Sequence, residues 1–156
     1  VMDGEFMCEE MTARVPAIGG GNFILLSKNR ASCLSACEIA VNVMSEIGNI
    51  ITPFPGGVVR SGSKVGSKYK ALIASTNDAF CPSLSGITGS KLHKSVNCVM
   101  EIVINGLTKE DIDKGIRESL IAISKSKYKK DIVSVSAGNY GGKLGPHHFH
   151  LRKILK

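Results

Sequence analysis

The stretch Cys98-Val99-Met100-Glu101-Ile102-Val103-Ile104-Asn105-Gly106-Leu107 decides the fold. Cys98, Val99 and Met100 stand on one side of Glu101, and Ile102, Val103 and Ile104 on the other. A short apolar run rich in branched residues and closed by Asn105-Gly106 predicts a buried strand. Glu101 is its discordant member. A carboxylate inside such a run is costly unless it is paired, hydrogen-bonded or held neutral, and under those conditions proteins make general acids and bases. Two structural accounts stand beside the catalytic one: a Glu on the wet face of an edge strand, or a Glu paired with a lysine.

Downstream of this strand, Thr108 predicts a helix N-cap, with Glu110 and Asp111 suited to the positive end of the helix. Ile112, Ile116, Leu120 and Ile123 form its apolar stripe. Ile132 to Ser136 alternates as a strand and runs into the glycine-rich loop Ala137–Gly145, before a last predicted strand containing Phe149, Leu151 and Ile154. Upstream the order is similar. Gly19-Gly20-Gly21 reads as a linker before a strand at Asn22–Leu26. Leu34, Cys37, Val41, Met44 and Ile47 recur at helical spacing from Ser32 to Ile47, and Gly48 supplies a stop. The rigid turn Pro53-Phe54-Pro55-Gly56-Gly57 leads to a strand at Val58-Val59, and a further strand is expected at Tyr69–Ala74. Strand, helix, strand thus occurs near 22–60 and again near 97–136. This pattern predicts an α+β, ferredoxin-like sandwich of mainly antiparallel sheet, with helices on one face and extra strands. Residues 1–18 show no strong period and read as a lead-in to a lobe over 19–156.

At 156 residues the chain is one domain's worth, and 43% hydrophobic against 21% charged residues argues against disorder. No apolar run approaches the roughly 20 residues of a membrane span, and Val1–Glu5 has neither the basic flank nor the apolar stretch of a signal peptide. Cys8, Cys33, Cys37, Cys81 and Cys98 are odd in number and lack paired spacing, so reduced thiols in a cytoplasmic protein are expected. Cys33 and Cys37 make at most half a metal site, with no second ligand pair at matching spacing. His147, His148 and His150 lack a carboxylate or thiol nearby, and surface histidines are expected there rather than a metal centre. The net charge of +7 favours anionic partners, although much of the excess lies in Lys125, Lys127, Lys129, Lys130 and the tail. With no Trp and 5% aromatics, stacking platforms for nucleic acid are poorly supplied.

Three polar loops complete the reading. In Ser61–Lys68, Gly57 and Gly62 have the separation of a P-loop, but Ser63 stands where the lysine belongs and no helix pattern follows. A small basic loop of this type can still present backbone N–H groups and lysines to an anion or acyl oxygen. Ser75-Thr76-Asn77-Asp78 reads as a turn or helix cap. Ser83–Lys94 is a glycine- and serine-rich loop.

The loops together carry a resemblance. Gly20-Gly21-Asn22-Phe23, Pro53-Phe54-Pro55-Gly56-Gly57, Ser63-Lys64-Val65-Gly66-Ser67-Lys68, Ala74-Ser75-Thr76-Asn77-Asp78-Ala79, Cys81-Pro82, Glu101–Leu107 and Ser136–Gly145 occur in order. From about Gly4 onward the series resembles the C-terminal half of formylmethanofuran:tetrahydromethanopterin formyltransferases. The resemblance implies transfer of a formyl group between an amine of methanofuran and a pterin ring nitrogen of tetrahydromethanopterin. Both carriers are substrates, and no metal or bound cofactor is implied. It further implies two related α/β lobes (the N-terminal one lying outside this sequence), a homotetramer, and a cleft near lobe and subunit contacts. Glu101 matches the family's proposed acid/base glutamate. Substrate-binding residues are expected at Lys64, Ser67, Lys68, Asn77, Asp78, Asn139, Gly141, Gly142 and Lys143. Acyl transfer between two nitrogens passes through an oxyanion and moves a proton from attacking to leaving amine. A carboxyl group and loop N–H donors can serve that chemistry. The alternative is a non-catalytic carrier-binding or assembly lobe of a split, truncated or decayed formyltransferase, associating with other one-carbon enzyme subunits. Nucleic acid and membrane are not expected partners.

Overall fold

The computed structural model describes residues 2–61, 77–87, 89–139, 142 and 144–156. In chain order its elements are β1 (Ile18–Ser27), α1 (Arg30–Ser45), β2 (Ile50–Ile51), β3 (Val59–Arg60), β4 (Cys98–Gly106), α2 (Lys109–Lys125), β5 (Ile132–Ser136) and a short α3 (Leu151–Ile154). The sheet is antiparallel throughout. β4 lies beside β1, β1 beside β5, and β2 and β3 follow one another along the other edge of β4. With β2 and β3 taken as one interrupted strand, the spatial order and the two intervening helices are those of the ferredoxin-like sandwich. The strand predicted around Glu101 is therefore central.

Side-chain alternation along β4 separates two apolar layers. Cys98, Ile102 and Ile104 join Phe23 and Leu25 of β1 under the helices, against Cys33, Ala36, Cys37, Ala40 and Met44 of α1 and Ile112, Ile116, Leu120 and Ile123 of α2. Val99 faces the other way, where Ile24, Leu26 and Val96 form a smaller cluster with Phe80, Leu92 and Val133. Both helices start where short polar side chains allow. The Asn29 side chain accepts from Ser32 N at 3.1 Å. Thr108 and Asp111 form a reciprocal capping box.

Three expectations change. β1 begins at Ile18, so the glycines are part of a strand and not a linker before it. A Cβ on Gly21 would lie 3.0 Å from Ile112 Cγ2, and the register shifts between Ile18 and Gly21; the glycine run lets α2 approach the sheet. The last predicted strand is instead a helical turn, with the N–H groups of Lys153 and Ile154 donating to His150 O at 2.8 and 3.1 Å. Phe149 and Ile154 are buried in the main core, five residues apart, a spacing that strict alternation does not produce. His148 and His150 accordingly share no strand face. Third, α1 starts at Arg30 and stops at Ser45, ahead of Asn49, which takes a left-handed φ of 67°. The strand expected at Tyr69–Ala74 lies outside the described residues.

Candidate active site

Glu101 occupies the middle of β4, opposite Ile24 of β1 on one side and Val59 of β3 on the other. Its parity with Val99 places it on the sheet face away from the helices. Asn22 lies two residues before Ile24 on β1 and is thus Glu101's diagonal neighbour on that face, within reach for long polar side chains. Asn22 Nδ2 donates to Glu101 Oε1. Asn77 Nδ2 donates to the other oxygen, Oε2, at 2.9 Å. The carboxyl group is thus gripped from two separate segments, and these hydrogen bonds offset the cost of a carboxylate in an apolar run.

Each gripping residue is itself held. Asn22 Oδ1 accepts from Gly138 N at 2.7 Å, which brings the start of the loop after β5 against the site. A Cβ on Gly138 would come within 2.5 Å of Asn22 Oδ1, so only glycine allows this approach. The Asn77 carbonyl accepts from Ser61 Oγ at 3.0 Å and from Phe80 N at 2.9 Å, fixing the turn that opens at Asp78. Asn22, Ser61 and Asn77 are buried, with 4%, 1% and 7% of their surface exposed. Buried polar groups of this kind are tolerated because their bonds are made.

Among the residues singled out from sequence, Glu101 and Asn77 meet directly. Asp78, half-buried, follows Asn77 as the first residue of its turn. Asn139 is adjacent to Gly138, and its side chain bonds both the N–H and the carbonyl of Phe149 at 2.8 Å, an imitation of a strand pair that pins the two ends of the loop. Gly142, with φ of +73°, donates its N–H to Asn139 O at 2.8 Å within that loop. Lys64, Ser67, Lys68, Gly141 and Lys143 lie outside the described residues. Sequence reasoning placed no role on Asn22, Ser61 or Gly138. The available signal for Asn22 was a polar residue opening an otherwise apolar strand, Asn22-Phe23-Ile24-Leu25-Leu26.

Cys33, Cys37, Cys81 and Cys98 are buried, whereas Cys8 is exposed. The thiol–thiol hydrogen bond with Cys37, followed by burial, pushes the Cys33 thiol far above its usual range. Burial, reinforced by Cys33, pushes Cys98 up to about 12. Among the described residues no cluster of three or more His, Cys, Asp or Glu side chains is arranged to hold a metal ion. A cavity of about 530 Å³ opens where Arg30, Leu34, Arg60, Cys98 and Met100 converge, on the helix side of β4, and does not include Glu101. Among the described residues no helix is long and apolar enough to cross a membrane.

The sequence family described as "FTR, proximal lobe" matches residues 4–154. The chain belongs to this family. The chain is 59% identical over 155 residues to a formylmethanofuran–tetrahydromethanopterin formyltransferase of Methylobacillus flagellatus, covering 99% of the chain and 51% of that relative. It is 42% identical to the Methanocaldococcus jannaschii formyltransferase, covering 52% of it. Among solved structures, the formyltransferase/hydrolase complex of Methylorubrum extorquens bound to methylofuran superposes with a TM-score of 0.78 at 48% identity, over 90% of this chain and 46% of that one. The Methanosarcina barkeri formyltransferase gives 0.77 at 42% identity, over 90% and 47%. The chain spans about half the length of the curated relatives it matches.

Proposed function

We propose that this chain acts as one lobe of an enzyme transferring a formyl group between methanofuran and tetrahydromethanopterin, with Glu101 as general acid/base. The observation that carries the reading is the grip of Asn22 and Asn77 on the two oxygens of Glu101. Amide donors directed at both oxygens stabilise an ionised carboxylate, so the resting site is arranged to accept a proton. When the pterin nitrogen attacks the formyl carbon, its proton passes to Glu101 and the formyl oxygen becomes an oxyanion. Collapse breaks the carbon–nitrogen bond to methanofuran, and Glu101 returns the proton to the departing amine. The reverse direction uses the same steps. Backbone N–H groups of the glycine-rich loop after β5 would stabilise the oxyanion.

Lys64, Ser67, Lys68, Asp78, Gly141, Gly142 and Lys143 are assigned to carrier binding, since both carriers bear anionic groups and the loops are basic. For Asn139, whose carboxamide is engaged with Phe149, the assignment is to hold the loop shape. Residues 1–18 act as a lead-in to the lobe at 19–156. The exposed apolar side chains Phe6, Met7, Met11 and Val15 fit a segment that crosses to another surface. A cytoplasmic homo-oligomer fits five free cysteines and a basic surface.

The test is formyl exchange between the two carriers, measured with the chain alone and with the chain joined to the half of the Methylobacillus flagellatus relative that it does not match. Turnover abolished by Glu101→Gln in the active preparation supports the reading. Because the chain spans half the relatives' length, a carrier-binding or assembly lobe without turnover is the second reading. Carrier binding with no exchange in either preparation would favour it.

A further inference from the structure

We infer that the groove between α1 and β3 is a docking site for the acidic, apolar lead-in segment of a second copy of this chain. This goes beyond formyl transfer and makes no use of Glu101. The groove is the cavity of about 530 Å³ whose lining includes Arg30, Leu34 and Glu38 of α1, Val58 just before β3, Arg60 on β3 and Met100 of β4. Arg30, Leu34 and Glu38 are spaced four apart and form one stripe of the helix. At the helical rise per residue, the Arg30 and Glu38 backbones stand about 12 Å apart along the axis. Arg60 pairs with Met100, and both guanidiniums are near enough to Cys98 to oppose the rise of its thiol. The groove thus has a cationic end made by two arginines and an anionic end at Glu38. Leu34 lies between them, 41% exposed. Among the described residues neither guanidinium nor Glu38 takes part in a salt bridge; Arg60 donates to Ser83 Oγ at 3.0 Å.

Residues 2–17 carry the complementary pattern. They form no helix or strand, and Phe6, Met7, Met11 and Val15 are exposed. Asp3, Glu5, Glu9 and Glu10 stand against Arg14 alone, in a chain whose net charge is +7. Glu10 and Arg14 are four residues apart, about 13 Å in extended chain, which matches the separation of the two ends of the groove. In that register Glu10 meets Arg30 and Arg60, Met11 covers Leu34, and Arg14 meets Glu38. The reverse direction would set Arg14 against the arginines, so the charges also fix the polarity of docking. The segment joins β1 at Ile18, opposite Gly106, whereas the groove lies at the Cys98–Met100 end of β4. It stays exposed in its own copy, and a second copy offers the groove; exchange in both directions closes a two-fold dimer.

Disulfide trapping between two copies tests this in the full chain, with Cys8→Ser to remove the exposed thiol of the segment. One copy carries Met11→Cys and the other Leu34→Cys, so any bond between them joins two molecules. Mixed under oxidised glutathione and read by peptide mass spectrometry, the pair should link about tenfold or more faster than Met11→Cys with Leu155→Cys, an exposed position outside the groove, because docking raises the local concentration. Glu10→Arg on the first copy should slow trapping about fivefold or more, and Arg30→Glu with Arg60→Glu on the second should restore it. A rate equal to that of the control pair overturns the proposal. So does trapping seen only when both cysteines are on one molecule, which would seat the segment in its own groove. If the double arginine variant does not fold, the effect of Glu10→Arg decides, and no slowing counts against the proposal. Formyl exchange is not the readout, so the catalytic reading stands or falls separately.

Discussion

Asn22 on β1 and Glu101 on β4 are diagonal neighbours on the helix-free face of the sheet, joined by a bond from the Asn22 carboxamide to Oε1. The pairing explains how a carboxylate is kept in the central strand of a small α+β sandwich. Helices α1 and α2 cover one face of the sheet, and Asn22, Asn77 and Glu101 gather on the other, beside the small apolar cluster of Ile24, Leu26, Val96 and Val99.

Asn77 supplies the second grip. Replacing it with Ala removes the donor 2.9 Å from Oε2 while the turn's backbone bonds remain. Steady-state formyl exchange should show kcat reduced by roughly tenfold or more, with smaller changes in KM. Equal losses in a variant that leaves the carboxamide intact, such as Ser61→Ala, would assign the effect to the turn.

Gly106 ends β4 directly beneath α2, where a Cβ would stand 2.7 Å from Ile112 Cγ1. Gly106→Ala should destabilise the fold by about 1–3 kcal/mol through overpacking. Denaturant unfolding measures this, and the loss from Gly106→Ala should be smaller in an Ile112→Ala background, which lacks the crowded Cγ1.

The cysteine cluster makes a prediction about pH. The folded Cys98 thiol, raised to about 12, holds its proton where an unfolded thiol, with a value of about 8.5, releases it. The unfolded state then binds fewer protons, so this contribution to stability is fully present below about pH 8.5 and is lost as pH rises toward 12. Thermal unfolding followed across that window should show a falling Tm, with a shallower fall in Cys98→Ala. At neutral pH, alkylation read by mass spectrometry should label exposed Cys8 well before Cys33 or Cys98.

The α2 cap offers a local check. Thr108→Ala removes the side chain that accepts from Asp111 N at 3.1 Å and should cost about 1 kcal/mol, read by denaturant unfolding, with no effect on formyl exchange.

Much of this architecture was legible in the sequence because periodicity carries it. The stripe Ile112, Ile116, Leu120, Ile123 announces α2, the branched run around Glu101 announces β4, and their order yields the ferredoxin-like topology. Register is not written in the same way. Nothing in Asn22-Phe23-Ile24 alone states that Ile24 lies opposite Glu101, so the bond from Asn22 could not be read in advance. The glycines at 19–21 misled because close approach to Ile112 and a flexible linker both call for glycine. The C-terminal strand misled because Phe149 and Leu151 are spaced as in a strand, whereas burial of Ile154 selects a helical turn.

The central claim is that Glu101 moves the proton in formyl transfer, and Glu101→Gln tests it most directly because the amide keeps the shape of the side chain. Exchange between formylmethanofuran and tetrahydromethanopterin should fall by at least about a hundredfold in kcat, with carrier binding and thermal stability retained. Turnover at the unsubstituted rate in that variant would contradict the account.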